Sequence, residues 1–308
     1  MLQAIDIHKK YKKKEVVKGV NLELHPGESI GLIGPNGAGK STTISILTSL
    51  IPPTSGVVKW NGTSIEKNLR SFRRQLGIVP QEIALYPELS AKENLSFFGR
   101  VYGLKGDELS DRITSILAKI GLTDRQNDLV KTYSGGMKRR LNIGIALLHK
   151  PSILIMDEPT VGIDPQSRAH ILDTVKELVE DGMTLLYTSH YMEEVELLCD
   201  RIYIMNQGEL IAAGTKEELK NLISENQTIE LKGSFTESFL SKLKEVFPNA
   251  IFRHGEKVMH ISIDKHTTPL KSIFDIATLT GARLVSVSVQ IPTLEDVFLH
   301  LTGRELRD

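Results

Sequence analysis

The stretch GPNGAGKST, residues 34–42, sets a lysine and two hydroxyl residues behind a run of glycines. It satisfies the spacing G-x-x-x-x-G-K-[ST] in full, between the apolar run SIGLI and the helical pattern TTISILTSL. Glycines let a backbone curl until successive N–H groups point inward at phosphate oxygens. The helix that follows adds the positive end of its dipole. Gly34, Pro35, Asn36, Gly37, Ala38 and Gly39 are therefore a candidate phosphate cradle. Lys40 brings a point charge to the β- and γ-phosphates, Ser41 a hydroxyl to Mg²⁺, and Thr42 completes the motif.

Other candidates end apolar runs. ILIMDEP (153–159) closes on Asp157, placed to hold Mg²⁺, and on Glu158, placed to accept a proton from an attacking water. His190 ends YTSH and Gln81 ends LGIVPQ; each alone carries little. Tyr11 in HKKYKKKE offers a ring to stack on a base, or a partly buried ring in a solvated basic loop, the reading that spacing alone favours. TYSGGMKRR (132–140) raises a different question. A hydroxyl and two glycines open what reads as a basic amphipathic helix, which is again a phosphate site. A single nucleotide needs one such site, and this chain has two.

Elements of two kinds must position these residues. SIGLIG (29–34), QLGIVPQ (75–81), SILIMDEP (152–159) and TLLYTSH (184–190) are short apolar runs separated by helical patterns, which predicts a parallel sheet in an α/β core. RIYIMNQGELIAAG (201–214) reads as a hairpin around Asn206, Gln207 and Gly208. Residues 82–150 hold amphipathic helices such as AKENLSFFGRVYGL and ELSDRITSILAKIGL, and form a helical subdomain inserted in the core. After about residue 225 the order becomes β-α-β-β-α-β, a ferredoxin-like split βαβ unit, with a hairpin through Gly255. A last helix, TLEDVFLHLTG, starts on Thr293 as N-cap with Asp296 at its third position. The expected domains are 1–220 and 225–308.

Composition narrows the function classes. The 308 residues carry Lys+Arg and Asp+Glu at 38 each, a balance that argues against a dedicated nucleic-acid binder. The single cysteine, Cys199, excludes an internal disulfide framework and reads as a small buried hydrophobe. The start MLQAIDIHKKYKKKE has no signal-peptide pattern, and no stretch approaches the roughly 20 apolar residues that cross a bilayer. Work at a membrane would go through another polypeptide.

Over residues 1–215 these motifs together resemble the ATP-binding-cassette (ABC) ATPases. GPNGAGKST stands as the Walker A loop, 153–158 as the Walker B strand, and YSGGM (133–137) as the Leu-Ser-Gly-Gly-Gln signature. Ser134, Gly135 and Gly136 keep the signature; Tyr133 and Met137 depart from it. GIDP (162–165) with Asp164 matches the D-loop, Gln81 the Q-loop, His190 the H-loop and Tyr11 the aromatic A-loop, all in family order. IPTLEDVFLHLTGR, ENLSFFGRVYGL and SGGMKRRL are similar to ATPase subunits of ABC-2-type exporters.

The resemblance implies an α/β P-loop NTPase core with the inserted helical subdomain, plus a small C-terminal α+β, ferredoxin-like βαββαβ domain. It implies ATP and Mg²⁺ as cofactors, with Ser41, Gln81 and Asp157 toward the metal and Glu158, His190 and Gln81 in catalysis. Two cassettes would pair head to tail, as a homodimer or a heterodimer with a second ABC ATPase, and drive a polytopic membrane permease, with no nucleic acid. Ser134 and Gly136 would then touch the γ-phosphate of the partner's ATP, and Asp164 would couple the sites. The expected location is cytoplasmic, peripheral on the inner face of the membrane. The competing class is a soluble ABC ATPase acting on ribosome or nucleic acid, which usually carries two cassettes or a long coiled coil. For residues 225–308 the ferredoxin-like order permits a ligand-sensing role beside a dimerisation or stability role, the one that fold analogy favours.

Overall fold

A computed structural model describes residues 1–223, 226–255, 257–264, 267–290 and 293–303. The chain divides into two compact units, Met1–Lys216 and Glu217–His300, and Leu301–Gly303 group with the first. The first unit opens with β1 (Leu2–Tyr11), β2 (Lys14–Leu24), β3 (Ser29–Ile33), α1 (Lys40–Leu47), β4 (Ser55–Trp60), β5 (Thr63–Ser64), α2 (Leu69–Arg73) and β6 (Leu76–Val79). The helices α3 (Ala91–Val101), α4 (Gly106–Lys119) and α5 (Gly135–Leu147) follow. Then come β7 (Ile153–Asp157), α6 (Pro165–Glu180), β8 (Thr184–Thr188), α7 (Met192–Leu198), β9 (Arg201–Asn206), β10 (Glu209–Thr215) and α8 (Lys216–Asn221).

The core sheet has the order β10-β9-β3-β8-β7-β6, parallel except for the β9–β10 hairpin. Every residue of β3 and β8 is buried, as apolar runs covered on both faces require. The four apolar runs of the sequence are thus β3, β6, β7 and β8, and the expected hairpin is β9–β10. In such sheets ligands bind at the carboxyl ends of the strands. The motif residues lie there in a row: Gly34 after β3, His190 after β8, Asp157 and Glu158 at the end of β7, and Gln81 after β6.

A second sheet, β2-β1-β4-β5, is antiparallel throughout. It corrects the reading of the N-terminal basic run as a solvated loop. Leu2 and Ala4 point into the core, but the next inward residue is Ile7, after Asp6 at φ 49° and a shift in register. That bulge breaks the period of two, so the strand carries no clean alternation in sequence. Leu2, Ile7, Val20 and Leu22 of this sheet share one core with Ile30 and Leu32 of β3 and Ile44 and Leu47 of α1. The helix carrying Lys40 is thereby held between two sheets.

The helical segment starts α3 with a full capping box: Ser90 Oγ accepts from Glu93 N, and Glu93 Oε2 accepts from Ser90 N. Helix α5 corrects a second expectation. Instead of an amphipathic helix with a basic face, Gly136, Arg139 and all of Leu141–Leu147 are buried. Packing on α3, α4, α6 and β6 covers it on most sides.

The second unit contains β11 (Asn226–Ser234), α9 (Glu237–Val246), β12 (Ile251–His254), β13 (Val258–Asp264), α10 (Leu270–Thr280) and β14 (Arg283–Gln290). Its sheet order β12-β13-β11-β14, all antiparallel, is the ferredoxin-like arrangement. Ile229, Leu231, Phe239, Met259, Ile261 and Ile273 form its separate core. In α11 (Leu294–Thr302), Thr293 Oγ1 accepts from Asp296 N, and Asp296 Oδ2 accepts from Thr293 N, which is the expected capping box.

Candidate functional site

Backbone conformation and close packing shape the candidate phosphate loop. Gly37 at φ 76° and Gly39 at φ 109° adopt the left-handed region that other residues avoid. A Cβ on Gly39 would also stand 2.8 Å from the Val16 carbonyl oxygen, and one on Gly34 would overlap the Met205 carbonyl. Gly208 N donates to Ala38 O at 2.9 Å, tying the loop to the β9–β10 turn. Lys40, only 5% exposed, donates back to Gly34 O at 2.7 Å and Pro35 O at 3.2 Å. Burial pulls its ammonium pKa down, against the opposing pull of Glu158 and Asp157.

Side chains from three strand ends meet at Glu158. His190 Nε2 lies 2.6 Å from Glu158 Oε1, and Gln81 Nε2 donates to Glu158 Oε2 at 3.0 Å. Lys40 Nζ stands 4.0 Å from the same carboxylate. Burial works to raise the Glu158 pKa, but the His190 hydrogen bond and the charges of His190 and Lys40 outweigh it and hold the carboxyl below its ordinary value. Glu158 is a non-glycine residue at φ 48°, a conformation that costs on the order of 1–3 kcal/mol and persists only when its surroundings fix it. They do so through Thr188: Glu158 N donates to Thr188 Oγ1 at 2.9 Å, and Thr188 Oγ1 donates to Asp157 Oδ1 at 2.7 Å.

A cavity of about 200 Å³ joins these parts. Its wall includes Asn36, Gly37, Ala38, Gly39, Lys40, Ser41, Thr42, Gln81 and Glu158. Val16 of β2 closes one side, a residue that sequence reading missed because nothing in its neighbourhood signals a ligand. Tyr11 is not part of that wall; it stands at the end of β1, 47% exposed, with the Lys9 ammonium 5.4 Å from its ring centre. Ser41, Gln81 and Asp157 offer a hydroxyl, an amide oxygen and one carboxylate. These are hard oxygen donors of the kind Mg²⁺ takes, with few protein ligands and the remainder left to phosphate and water. Among the described residues no group of three or more His, Cys, Asp and Glu gathers to hold a metal, in keeping with so sparse a set.

The second phosphate-like motif lies outside this cavity. Ser134 N-caps α5, its Oγ accepting from Met137 N at 3.2 Å, and Ser134 and Gly135 are exposed. Asp164 N-caps α6 in the same way, accepting from Ser167 N at 2.9 Å; these hydrogen bonds lower its carboxyl pKa. The two helix starts are pressed together. A Cβ on Gly136 would overlap the Ser167 side chain and stand 3.5 Å from Asp164 Oδ2. Tyr133, one of the departures from the signature, is buried and donates its hydroxyl to Arg125 O at 2.6 Å. The other, Met137, supplies the N–H that Ser134 caps.

One supporting cluster behind the site has no mark in the sequence. The Glu194 carboxylate, 1% exposed, accepts from Thr160, Arg168, Tyr187 and Ser189. It ties the segment after Glu158, the start of α6 and the residue before His190 to one point. In sequence Glu194 is one acid of several in YMEEVELL.

A phosphate loop after one parallel strand, with carboxylates at the end of the next strand but one in the same sheet, is the architecture of a P-loop nucleoside triphosphatase. The ABC transporter family model matches residues 17–161, and that of the ATP-binding protein DrrA1-3-like C-terminal domain matches 214–302. The linearmycin resistance ATP-binding protein LnrL of Bacillus subtilis is 53% identical over 311 residues, covering 100% of both chains. The Nod factor export ATP-binding protein I of Cupriavidus metallidurans is 37% identical, over 100% of this chain and 99% of the relative. Among solved structures, an ATP-binding subunit of an ABC transporter aligns with TM-score 0.66 and 31% identity, over 72% of this chain and 93% of its own. The dimeric cassette MJ0796 bound to ADP and Pi aligns with TM-score 0.64 and 29% identity, over 70% of this chain and 98% of its own. The chain belongs to the ABC transporter family, as an ATP-binding protein of the ABC-2-type exporter group. Its reaction is ATP hydrolysis.

Proposed function

We propose that this chain powers export through a separate polytopic membrane permease, hydrolysing ATP at the interface of a head-to-tail pair of cassettes. One observation carries the pairing: Gln81, Glu158 and His190 converge on the loop at 34–42, while Ser134 caps a helix outside that cavity. The second phosphate site is then half of a site whose other half belongs to a second cassette, identical or different. Relatives named for resistance and for Nod factor export favour export.

Each residue has a task in this reading. The loop from Gly34 to Thr42 and Lys40 hold the phosphates of ATP, and Tyr11 packs on its base. Ser41, Asp157 and Gln81 would hold Mg²⁺, which would supply positive charge against the phosphates. Glu158, kept anionic, polarises the attacking water, and His190 orients Glu158 and reaches the γ-phosphate. Ser134 and Gly136 close over the partner's ATP with the N-terminus of α5, and Asp164 links the two sites.

No helix among the described residues is long and apolar enough to cross a membrane, and in this reading the permease supplies the path. Its cytoplasmic helix would dock on the exposed apolar surface of Ile83, Tyr86, Phe97, Val101 and Tyr102, beside the Gln81 segment. The chain then works on the cytoplasmic face of the membrane, with residues 1–220 as the ATPase domain and 225–308 as a dimerisation or stability appendage. The pairing is tested with Glu158→Gln, which binds ATP but turns over slowly. Light scattering with saturating MgATP should give a dimer; a monomer overturns the reading.

A further inference from the structure

The basic residues that follow the signature glycines differ in surroundings. Arg140 Nη1 donates to Ile120 O and Gly121 O in the helical segment. Arg139, on the next position inward along α5, is 4% exposed. Its Nη1 donates to Pro80 O at 2.8 Å and its Nη2 to Gln81 O at 2.7 Å. Among the described residues it has no carboxylate partner, and its Nε has no hydrogen-bond partner. A guanidinium buried against neutral carbonyls is costly to keep, and an apolar side chain would fill the same space without that cost. What the charge supplies is a rigid two-pronged grip on one short piece of backbone. That piece carries Gln81, whose side chain donates to Glu158 at 3.0 Å.

We propose that Arg139 is a positioning residue for hydrolysis: it joins the signature helix to the Gln81 segment, so that ATP held at Ser134 on the partner's site sets the place of Gln81 and Glu158 in this chain's own site. The path is short and stiff. Ser134 caps α5, and Arg139 lies about 7.5 Å further along the helix axis at 1.5 Å per residue. Pro80 ends β6 without an N–H of its own to anchor it, so the Arg139 fork holds the segment where the strand stops. A shift of α5 when a nucleotide closes on Ser134 is therefore delivered to the atoms that orient Glu158. Arg139 touches neither nucleotide. This inference rests on the head-to-tail reading above and gives the two ATP sites of a pair a physical link within each chain.

The test uses the full chain with MgATP and the variants Arg139→Met and Arg139→Lys, with melting temperature as the folding control. Arg139→Met should fold, keep KM within about twofold, and lose about tenfold or more in kcat, with a Hill coefficient below that of the wild type. Arg139→Lys, a point charge without the fork, should fall between. A folded Arg139→Met with wild-type kcat and Hill coefficient overturns the proposal. If Arg139→Met does not fold, amide exchange decides on chains that do. On ATP-driven pairing, protection of residues 81–86 should rise less in Arg139→Lys than in the wild type; an equal rise in both overturns it. The two readings fail separately. Wild-type hydrolysis by Ser134→Arg sinks the head-to-tail pairing, whereas an inactive Ser134→Arg beside a normal Arg139→Met sinks only the role of Arg139.

Discussion

Helices α1 and α5 both begin on glycine-rich turns that present N–H groups to an anion, yet their surroundings differ. At α1 no side chain caps the helix, Lys40 is buried against its own loop, and Gln81, Glu158 and His190 gather at the entrance. At α5 Ser134 caps the helix, lies exposed, and has beside it the neighbouring helix start at Asp164. In the proposed reading the first start supplies the charge of Lys40 and the base Glu158 for hydrolysis. In the same reading the second supplies a helix dipole and N–H donors, which would grip a phosphate without cleaving it. Similar local physics therefore serves two purposes, decided by what the fold brings to each.

Substitutions at each end sharpen that contrast. Glu158→Gln removes the proposed proton acceptor from the first end, and turnover should fall by about 10²–10⁴ while ATP still binds, measured as phosphate release. Lys40→Ala should weaken ATP binding by about 10–100-fold in calorimetry, the cost of a charge-assisted contact to phosphate. At the second end, Ser134→Arg should leave ATP affinity of the single chain within about twofold and abolish ATP-driven pairing. Lost affinity would erase the distinction between the two starts. Gly136→Ala is milder: its Cβ meets the Ser167 side chain, so α5 and α6 must part, at a cost of about 1–3 kcal/mol in denaturant unfolding.

The smallest effect concerns pH. The Glu158 carboxyl is held below its ordinary value, so the stability it contributes is complete above the ordinary carboxylate range. It is lost as pH falls through the lowered folded value. Thermal unfolding of the wild type and Glu158→Gln should therefore converge only on acidification below that range. Convergence near neutral pH would mean that His190 and Lys40 do not hold the carboxylate as described.

Much of the site was legible because its motifs are local. A phosphate cradle needs glycines, lysine and hydroxyls at fixed offsets on one loop, so 34–42 declares itself without a structure. The carboxylates of β7 and the histidine after β8 end apolar runs, and such runs mark strands whose carboxyl ends line up. Helix α5 was misread because the sequence SGGMKRR shows where charges are and not what covers them. Arg139 is buried because β6 ends beside it, and that neighbour comes from fifty-odd positions earlier in the chain. The N-terminal sheet was missed because the bulge at Asp6 shifts the inward residues off a strict alternation. Val16 and Glu194 had no local mark at all.

The sequence by itself determined the family and the candidate chemistry: a phosphate-loop motif, a carboxylate pair at a strand end, and a second glycine-rich helix start. Such features depend on backbone conformation and residue type within a few positions, which a linear pattern records. Only the tertiary structure decided which of these groups meet. It set Gln81 and His190 on Glu158, left Ser134 outside the cavity, and turned one arginine of a basic run into an internal tie between α5 and the end of β6. Those pairings join residues far apart in the chain, and packing of whole sheets and helices fixes them.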